Sequence, residues 1–344
     1  MLVTDLVNVR YLSGFTGSNA ALLIRADDET PVLATDGRYR TQAAQQAPDA
    51  EVVIERACGP HLAARAATDG VRRLGFESHV LTVDGYALLE RSAPELEFVR
   101  AAGAVEALRE VKDAGELALL RLACEAADAA LVDLVEAGGL RPGRTEKEVG
   151  RELESRMLDH GADGISFETI VAAGVNSAIP HHRPTDAVLA AGDFVKIDFG
   201  ALVAGYHSDM TRTFVLEPVA QWQLDVYDLV ATAQRAGREA LVPGACLKDV
   251  DGASRRVIAD AGYAEHFGHG LGHGVGLQIH EAPGISASAA GTLLAGATVT
   301  VEPGVYLPGR GGVRIEDTLV VGDDHSPTPE LLTRFPKELA VLSG

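Results

Sequence analysis

Gly268-His269-Gly270-Leu271-Gly272-His273-Gly274-Val275-Gly276-Leu277-Gln278-Ile279-His280-Glu281 is the stretch around which the rest of the chain is organised. Three of the chain's eleven histidines fall within these few positions, at spacings of four and seven. A glycine at every second residue makes a poor helix and a weak strand interior, so the run suits backbone that must come close to a ligand or to another strand. From Leu277 to His280 apolar and polar residues alternate, which predicts a half-buried strand. Imidazole is a common ligand for Zn, Cu, Fe and Ni. A glycine-rich loop with solvated histidines would explain one such residue more simply than it explains three.

Working outward, acids stand in apolar strand-like runs, where they are disfavoured. Downstream, Val299-Thr300-Val301-Glu302-Pro303-Gly304 reads as a strand ending on Glu302, within a run from Ala297. Val313 to Val321 reads as another, with Glu316 inside it. Upstream, Phe194 to Gly200 holds Asp198, and Tyr206 to Leu216 holds Asp209. A short glycine-containing turn joins these two runs, so they are expected to pair as a hairpin with both carboxylates on one face. An ordinary exposed strand face accounts for any one of the four acids. Four of them bracketing a histidine cluster would repel, and would be protonated unless cations neutralise them. Four carboxylates match two divalent ions in charge, and neutral His273 adds a ligand without charge. Oxygen ligands with one imidazole suit Mn²⁺, Co²⁺ or Zn²⁺. Two such ions about 3.5–4 Å apart can hold a bridging hydroxide and polarise a carbonyl, which is machinery for hydrolysis.

The chain has 344 residues, enough for two domains, and 47% of them are apolar, enough to bury a core. A net charge of −19 argues against nucleic acid or an anionic membrane as partner. No run of apolar residues is long enough for a membrane span. Asp5 interrupts the N-terminal stretch, which lacks the basic region of an export signal. Cys58, Cys124 and Cys246 are scattered and form no disulfide framework or metal clip. A cytoplasmic location is expected.

Residues 1 to about 103 read as a small α/β unit. Its expected strands are Ala20 to Ile24 and Pro31 to Thr35 around a polar turn at 26–30, then Glu51 to Glu55, Arg73 to Phe76 and Phe98 to Ala101. Its expected helices are Arg38 to Ala47 and His61 to Thr68. The character changes at 103–112. Asp113 opens a helix through Glu136 with Leu117, Leu120, Cys124, Ala127, Leu131 and Leu134 at helical spacing. Thr145 caps a second helix to His160, with Glu148 at the capping-box position. Strands at Ile170 to Gly174 and beyond, helices at Asp225 to Leu241 and Leu247 to Gly262, then more strands follow. This order hints that residues 112–344 hold two similar halves.

The set Asp198, Asp209, His273, Glu302 and Glu316 resembles the five metal ligands of the pita-bread metallopeptidases. Within that group, His269 to Glu281 resembles the signature of Xaa-Pro aminopeptidases and prolidases. Asn8-Val9-Arg10-Tyr11-Leu12-Ser13-Gly14-Phe15 and Asp36-Gly37-Arg38-Tyr39 are similar to motifs of that family's N-terminal domain. The resemblance implies an α/β (α+β) chain, with a creatinase-like N-terminal domain over 1–103 and a pita-bread catalytic domain over 112–344 with pseudo-twofold halves. It implies two divalent ions, Mn²⁺ first and Co²⁺ or Zn²⁺ as alternatives, with Asp209 and Glu316 bridging them. Asp198 would serve one ion, and His273 with Glu302 the other. Glu302 would also take the proton of the bridging water. His181, after Pro180, would stabilise the tetrahedral intermediate, with His182 the competing candidate. His269 and His280 would contact substrate around the proline, Arg314 would orient an acidic ligand, and Tyr306 would support the site. The implied activity is release of an N-terminal residue ahead of proline, as an Xaa-Pro aminopeptidase or, alternatively, an Xaa-Pro dipeptidase, in a homodimer. Creatinase-like enzymes lack the five ligands, and methionine aminopeptidases lack the N-terminal domain. A catalytically inactive binding module of the same fold is the reading from a different class. Only seven residues precede Asn8, where the family has a helix and most of a strand, so either a trimmed N-terminal domain or a start assigned late is expected.

Overall fold

Short segments with apolar residues between turn residues become the strands of residues 1–109. The computed structural model describes residues 1–26, 28–323 and 325–343, without the side chains of 28 and 29. Strands β1 (Leu2–Val3), β2 (Ala20–Arg25), β3 (Asp28–Thr35), β4 (Glu51–Ile54), β5 (Arg73–Phe76) and β6 (Glu97–Arg100) form one sheet in the order β4-β3-β2-β1-β5-β6. The turn expected at 26–30 includes residue 27, which lies outside the described residues. β2 and β3 pair antiparallel, Ala20 opposite Thr35, while β4 and β6 add in parallel. The helices are α1 (Leu6–Ser13), α2 (Arg40–Gln46), α3 (Cys58–Thr68), α4 (Val83–Ser92) and α5 (Glu106–Arg109). Of these, α1, α4 and α5 are additional to the expected helices.

α1 carries the Asn8 motif. Asp5 caps it through the Val7 and Asn8 amides, and Gly14 ends it in the left-handed region at φ 74°. Asn8 is buried and donates to Glu77 at 2.7 Å and Glu106 at 2.8 Å, and it accepts from Arg109 at 2.9 Å. These bonds hold α5 in the first unit, and the chain divides at 109/110, inside the 103–112 stretch where its character changes. In the second motif Asp36 accepts both arms of Arg38 and an amide hydrogen of Asn19.

Residues 110–344 form the second unit. α6 (Ala114–Glu136) and α7 (Glu146–Asp159) start on capping boxes, Asp113 with Glu116 and Thr145 with Glu148. The strands that follow are β7 (Gly164–Ile165), β8 (Ile170–Ala173), β9 (Phe194–Phe199), β10 (Ala201–Val203), β11 (Tyr206–His207) and β12 (Met210–Leu216). Then come α8 (Gln221–Glu239), α9 (Leu247–Asp260), β13 (Gly272–Gly274), β14 (Glu281–Ile285), β15 (Thr298–Val301), β16 (Gly304–Leu307), β17 (Gly311–Arg314), β18 (Asp317–Val320), β19 (Glu330–Leu331) and β20 (Val341–Leu342). α6 and α7 share a core with the sheet β20-β12-β9-β8, through residues such as Leu131, Leu153, Ile197 and Phe214. α8 and α9 share another with the sheet β14-β13-β15-β18-β19, through Val230, Val250, Val299 and Leu319. Each half therefore lays a helix pair against a largely antiparallel sheet. No helix among the described residues is long and apolar enough to cross a membrane.

Two expected strands are broken in the structure, each at a change of partner, and a third does not form. The run 206–216 is two strands: β11 pairs with β10, and β12 pairs with β9, with Ser208 and Asp209 between them. Ser208 makes the crossing possible by donating its amide to the Ala201 carbonyl and accepting the Ala201 amide on Oγ. The run 313–321 likewise leaves β16 and joins β15 at Ile315 and Glu316, where the Glu316 amide bonds to the Thr211 carbonyl. Residues 277–280 are a bend rather than a strand. There the Gly276 amide bonds the Gln278 carbonyl, and the Gln278 amide bonds the Glu281 carboxylate.

Candidate metal centre

The second unit brings the acids and His273 together, and three of the five stand where a strand stops or switches sheets. Asp198 lies in β9, opposite Thr211 of β12. Asp209 and Glu316 occupy the two crossings. Glu302 follows β15 directly, and His273 is the middle residue of β13. Asp209, His273 and Glu316 each offer a ligand atom within 4.8 Å of the others. His273 Nε2 lies 3.5 Å from Asp209 Oδ2 and 3.5 Å from Glu302 Oε1. All five residues line one cavity of about 230 Å³, with His181 and His280.

The glycines of the signature are explained by crowding. A Cβ on Gly272 would sit 2.0 Å from the Thr300 carbonyl oxygen, and one on Gly274 would sit 2.0 Å from that of Ala282. Only glycine lets β13 lie this close to β15 and β14, which carries His273 up to Glu302. The His273 ring is oriented by its own neighbour: Nδ1 lies 3.0 Å from the Gly274 carbonyl oxygen. A carbonyl can only accept, so Nδ1 carries the hydrogen and Nε2 presents a lone pair to the cluster.

Electrostatically the cluster calls for cations. Burial, then the neighbouring Glu316, Asp198 and Glu302, push the Asp209 carboxyl well above its usual range. Burial and the Glu302 and Asp198 charges do the same to Glu316, and burial takes Glu302 to about 8. Burial lowers His273 to about 4, so it is neutral, as a ligand must be. Asp198 Oδ1 is buried and has no hydrogen-bond partner among the described residues. An orphaned carboxylate oxygen beside three other acids and a lone pair is what a bound divalent ion would complete. The donor set therefore fits metal.

Around the cluster, Arg314 is fully used. It donates to Asp198 at 2.5 Å, to Thr211, to the Pro180 carbonyl and to the Tyr306 hydroxyl. Tyr306 Oη lies 2.9 Å from His269 Nε2, and His269 Nδ1 lies 2.8 Å from the Gly270 carbonyl. The tyrosine proton thus points to His269, and Tyr306 reaches the centre through Arg314, which holds Asp198. Burial lowers His269 to about 4 and raises Tyr306 to about 12, so both are uncharged near neutrality. The exposed His280 stands edge-on to His273, ring centroids 4.4 Å apart. His181 lines the cavity, and burial with the nearby Arg314 lowers its basicity. Its neighbour His182 is turned the other way, into a buried bond with Glu146 at 2.8 Å.

Glu146 had no signal in the sequence beyond its place at the start of a helix. It is fully buried and accepts from the Ala173 and Thr185 amides, Asn176, His182 and the Thr185 hydroxyl. Those bonds fix the segment that carries His181. Lys196 does the same from β9, donating to the Ile179 and Pro180 carbonyls. A lysine between two buried apolar residues in Val195-Lys196-Ile197 was the available clue. Thr211 supports the metal cluster directly, donating to Glu316 at 2.6 Å.

The chain resembles known proteins along nearly its whole length. The Creatinase/Prolidase N-terminal domain matches residues 1–111, and Metallopeptidase family M24 matches residues 118–323. An Xaa-Pro dipeptidase of Pyrococcus horikoshii is 38% identical over 273 residues, 79% of this chain and 76% of its own length. The structure of an Xaa-Pro dipeptidase from Bacillus anthracis superposes with a TM-score of 0.93 at 38% identity, covering 99% of this chain and 94% of that one. That of an X-Pro aminopeptidase from Thermotoga maritima gives 0.90 at 33% identity, covering 99% and 97%. Residues 1–111 are thus a creatinase/prolidase-type N-terminal domain, the pita-bread domain follows, and the chain belongs to metallopeptidase family M24.

Proposed function

We propose that this chain is an Xaa-Pro dipeptidase, a metal-dependent exopeptidase that hydrolyses the peptide bond between an N-terminal residue and proline. The observation that carries the reading is the gathering of Asp198, Asp209, His273, Glu302 and Glu316 in one cavity. Relatives named Xaa-Pro dipeptidase, at 38% identity, put dipeptides ahead of the longer peptides that the sequence alone put first. The aminopeptidase reading stays as the second, supported by the similar X-Pro aminopeptidase structure.

Membership of a metallopeptidase family implies divalent metal, and these five residues would hold two ions, Mn²⁺ first with Co²⁺ or Zn²⁺ as alternatives, Asp209 and Glu316 shared between them. Bound there, the metal would supply an acidified water and polarise the scissile carbonyl. The protein's own residues do the rest. Glu302 takes the proton of the attacking water. His181 donates to the oxygen that gains negative charge. His269 and His280 position the substrate about its proline. Arg314 fixes Asp198, and Tyr306 fixes Arg314 and His269. A cytoplasmic homodimer is the form we assign to the protein.

The test is a panel of Xaa-Pro dipeptides and Xaa-Pro-Yaa peptides, each assayed with Mn²⁺, Co²⁺ and Zn²⁺, with elemental analysis of the same samples. Dipeptide cleavage with about two ions per chain is expected. Less than about half an ion per chain for every metal, or cleavage of neither substrate class, would overturn the reading.

A further inference from the structure

We infer that Arg183 is a specificity-determining residue that receives the free carboxylate of an Xaa-Pro substrate and ends the substrate site there. The inference rests on the reading of the chain as an Xaa-Pro peptidase. A dipeptide brings one carboxylate into a cavity already lined by five acids, Glu168 among them, so that carboxylate needs a cation of its own. Arg183 is the one lysine or arginine lining the cavity among the described residues. The other cations nearby are committed. Arg314 spends its guanidinium on Asp198, Thr211, Tyr306 and the Pro180 carbonyl. Lys196 is held by two carbonyls, and Lys112 by Glu281.

Arg183 is instead paired with Glu168, and both side chains are mostly exposed, at 65% and 73%. An ion pair so exposed contributes little, so one carboxylate can replace another on the same guanidinium at small cost. The planar fork of arginine accepts a carboxylate bidentately, which fixes direction as well as charge. The position of the pair adds the second element. Glu168 and Arg183 line the metal cavity and also a neighbouring cavity of about 520 Å³, which holds Lys147, Arg151 and Glu154. The pair therefore stands at the divide. A substrate with a free carboxylate after proline stops at Arg183, whereas a residue beyond proline has to displace the pair and pass into the second cavity.

The experiment uses the full metal-loaded chain and compares Ala-Pro with Ala-Pro-amide, which lacks the carboxylate. Wild-type protein is compared with Arg183→Gln and Arg183→Lys. We expect the ratio of kcat/KM for Ala-Pro over Ala-Pro-amide to fall about tenfold in Arg183→Gln, the scale of one charge-assisted hydrogen bond. The fall should come from KM for Ala-Pro, with kcat within about threefold, because the carboxylate contact is made equally before and during reaction. Arg183→Lys should recover part of the ratio. An unchanged ratio in Arg183→Gln, with wild type active on Ala-Pro, would overturn the role of Arg183 alone. Equal losses on both substrates would do the same, showing a merely structural role. A wild-type protein that cleaves neither compound with any metal would overturn the proposed function, and this role with it.

Discussion

In the proposed reaction Glu302 would meet two demands with one carboxylate. It would place an oxygen on metal, and it would carry charge able to accept a proton. Glu302→Gln keeps the size and one ligand oxygen but removes the basicity. At full metal occupancy, turnover of an Xaa-Pro substrate should fall by roughly 10²–10⁴, the usual scale for a lost general base. KM should move much less, since the proton transfers only during reaction. Kinetics and metal content measured on one sample check this, and near-normal kcat at full occupancy would remove Glu302 from the role. His181→Ala should lower kcat by on the order of 10²–10³ and leave metal content alone. His182→Ala should instead lower stability by about 1–3 kcal/mol, because it strips a partner from buried Glu146. The reverse pattern would exchange the two residues. The candidate acids were legible because acids among buried apolar residues are chemically out of place. Which of two adjacent histidines faces the cavity was not, because neighbouring side chains of an extended segment point opposite ways and the sequence does not say which way is inward.

At the scale of elements, β9, β12, β15 and β18 were legible as strands, and the breaks at Asp209 and Glu316 were not. The reason is burial on both faces. Every residue of β9, β12 and β15 is buried, so no inside–outside alternation exists to falter where the chain changes sheets. The bend at 277–280 misled in the opposite sense, since it alternates without pairing. The glycines of β13 make the element testable. Gly272→Ala should cost about 1–3 kcal/mol or more of stability, because its methyl would meet the Thr300 carbonyl of the neighbouring strand. Gly268→Ala should stay within about 0.5 kcal/mol, because nothing lies within 4 Å of the added carbon. Urea unfolding of both variants separates the cases, and equal costs would mean that β13 can move aside.

For the whole molecule, the raised carboxylates link metal to pH. Asp209, Glu316 and Glu302 have folded values above the ordinary carboxylate range, Glu302 at about 8. The metal-free folded state then binds more protons than the unfolded chain, so its stability falls as pH rises from about 4 to about 8. Bound metal replaces those protons and removes the loss. The gap in Tm between metal-loaded and chelated protein should therefore widen across this window. At a metal concentration about a hundredfold above Kd it should reach roughly 5–10 °C, from about 2.7 kcal/mol of binding free energy and about 2–4 °C per kcal/mol. Thermal scans at several pH values read the gap directly. A gap that is constant or narrows toward pH 8 would mean that the carboxylates do not hold their protons in the absence of metal.

The spread of the ligands along the chain bears on the order in which they leave the ribosome. Asp198 is made first and Glu316 last, 118 positions later. At about 5–20 residues per second, synthesis of that span takes about 6–24 s. Only while the 57 positions between Leu216 and His273 are being made, about 3–11 s of that span, can the hairpin of β9 and β12 form with Asp198 and Asp209 in place and the histidine and both glutamates still missing. A growing chain can therefore meet metal only through two loosely placed aspartates, which bind divalent ions weakly and exchange them readily. Choice of metal falls to the finished polypeptide, after the second half has closed over the first.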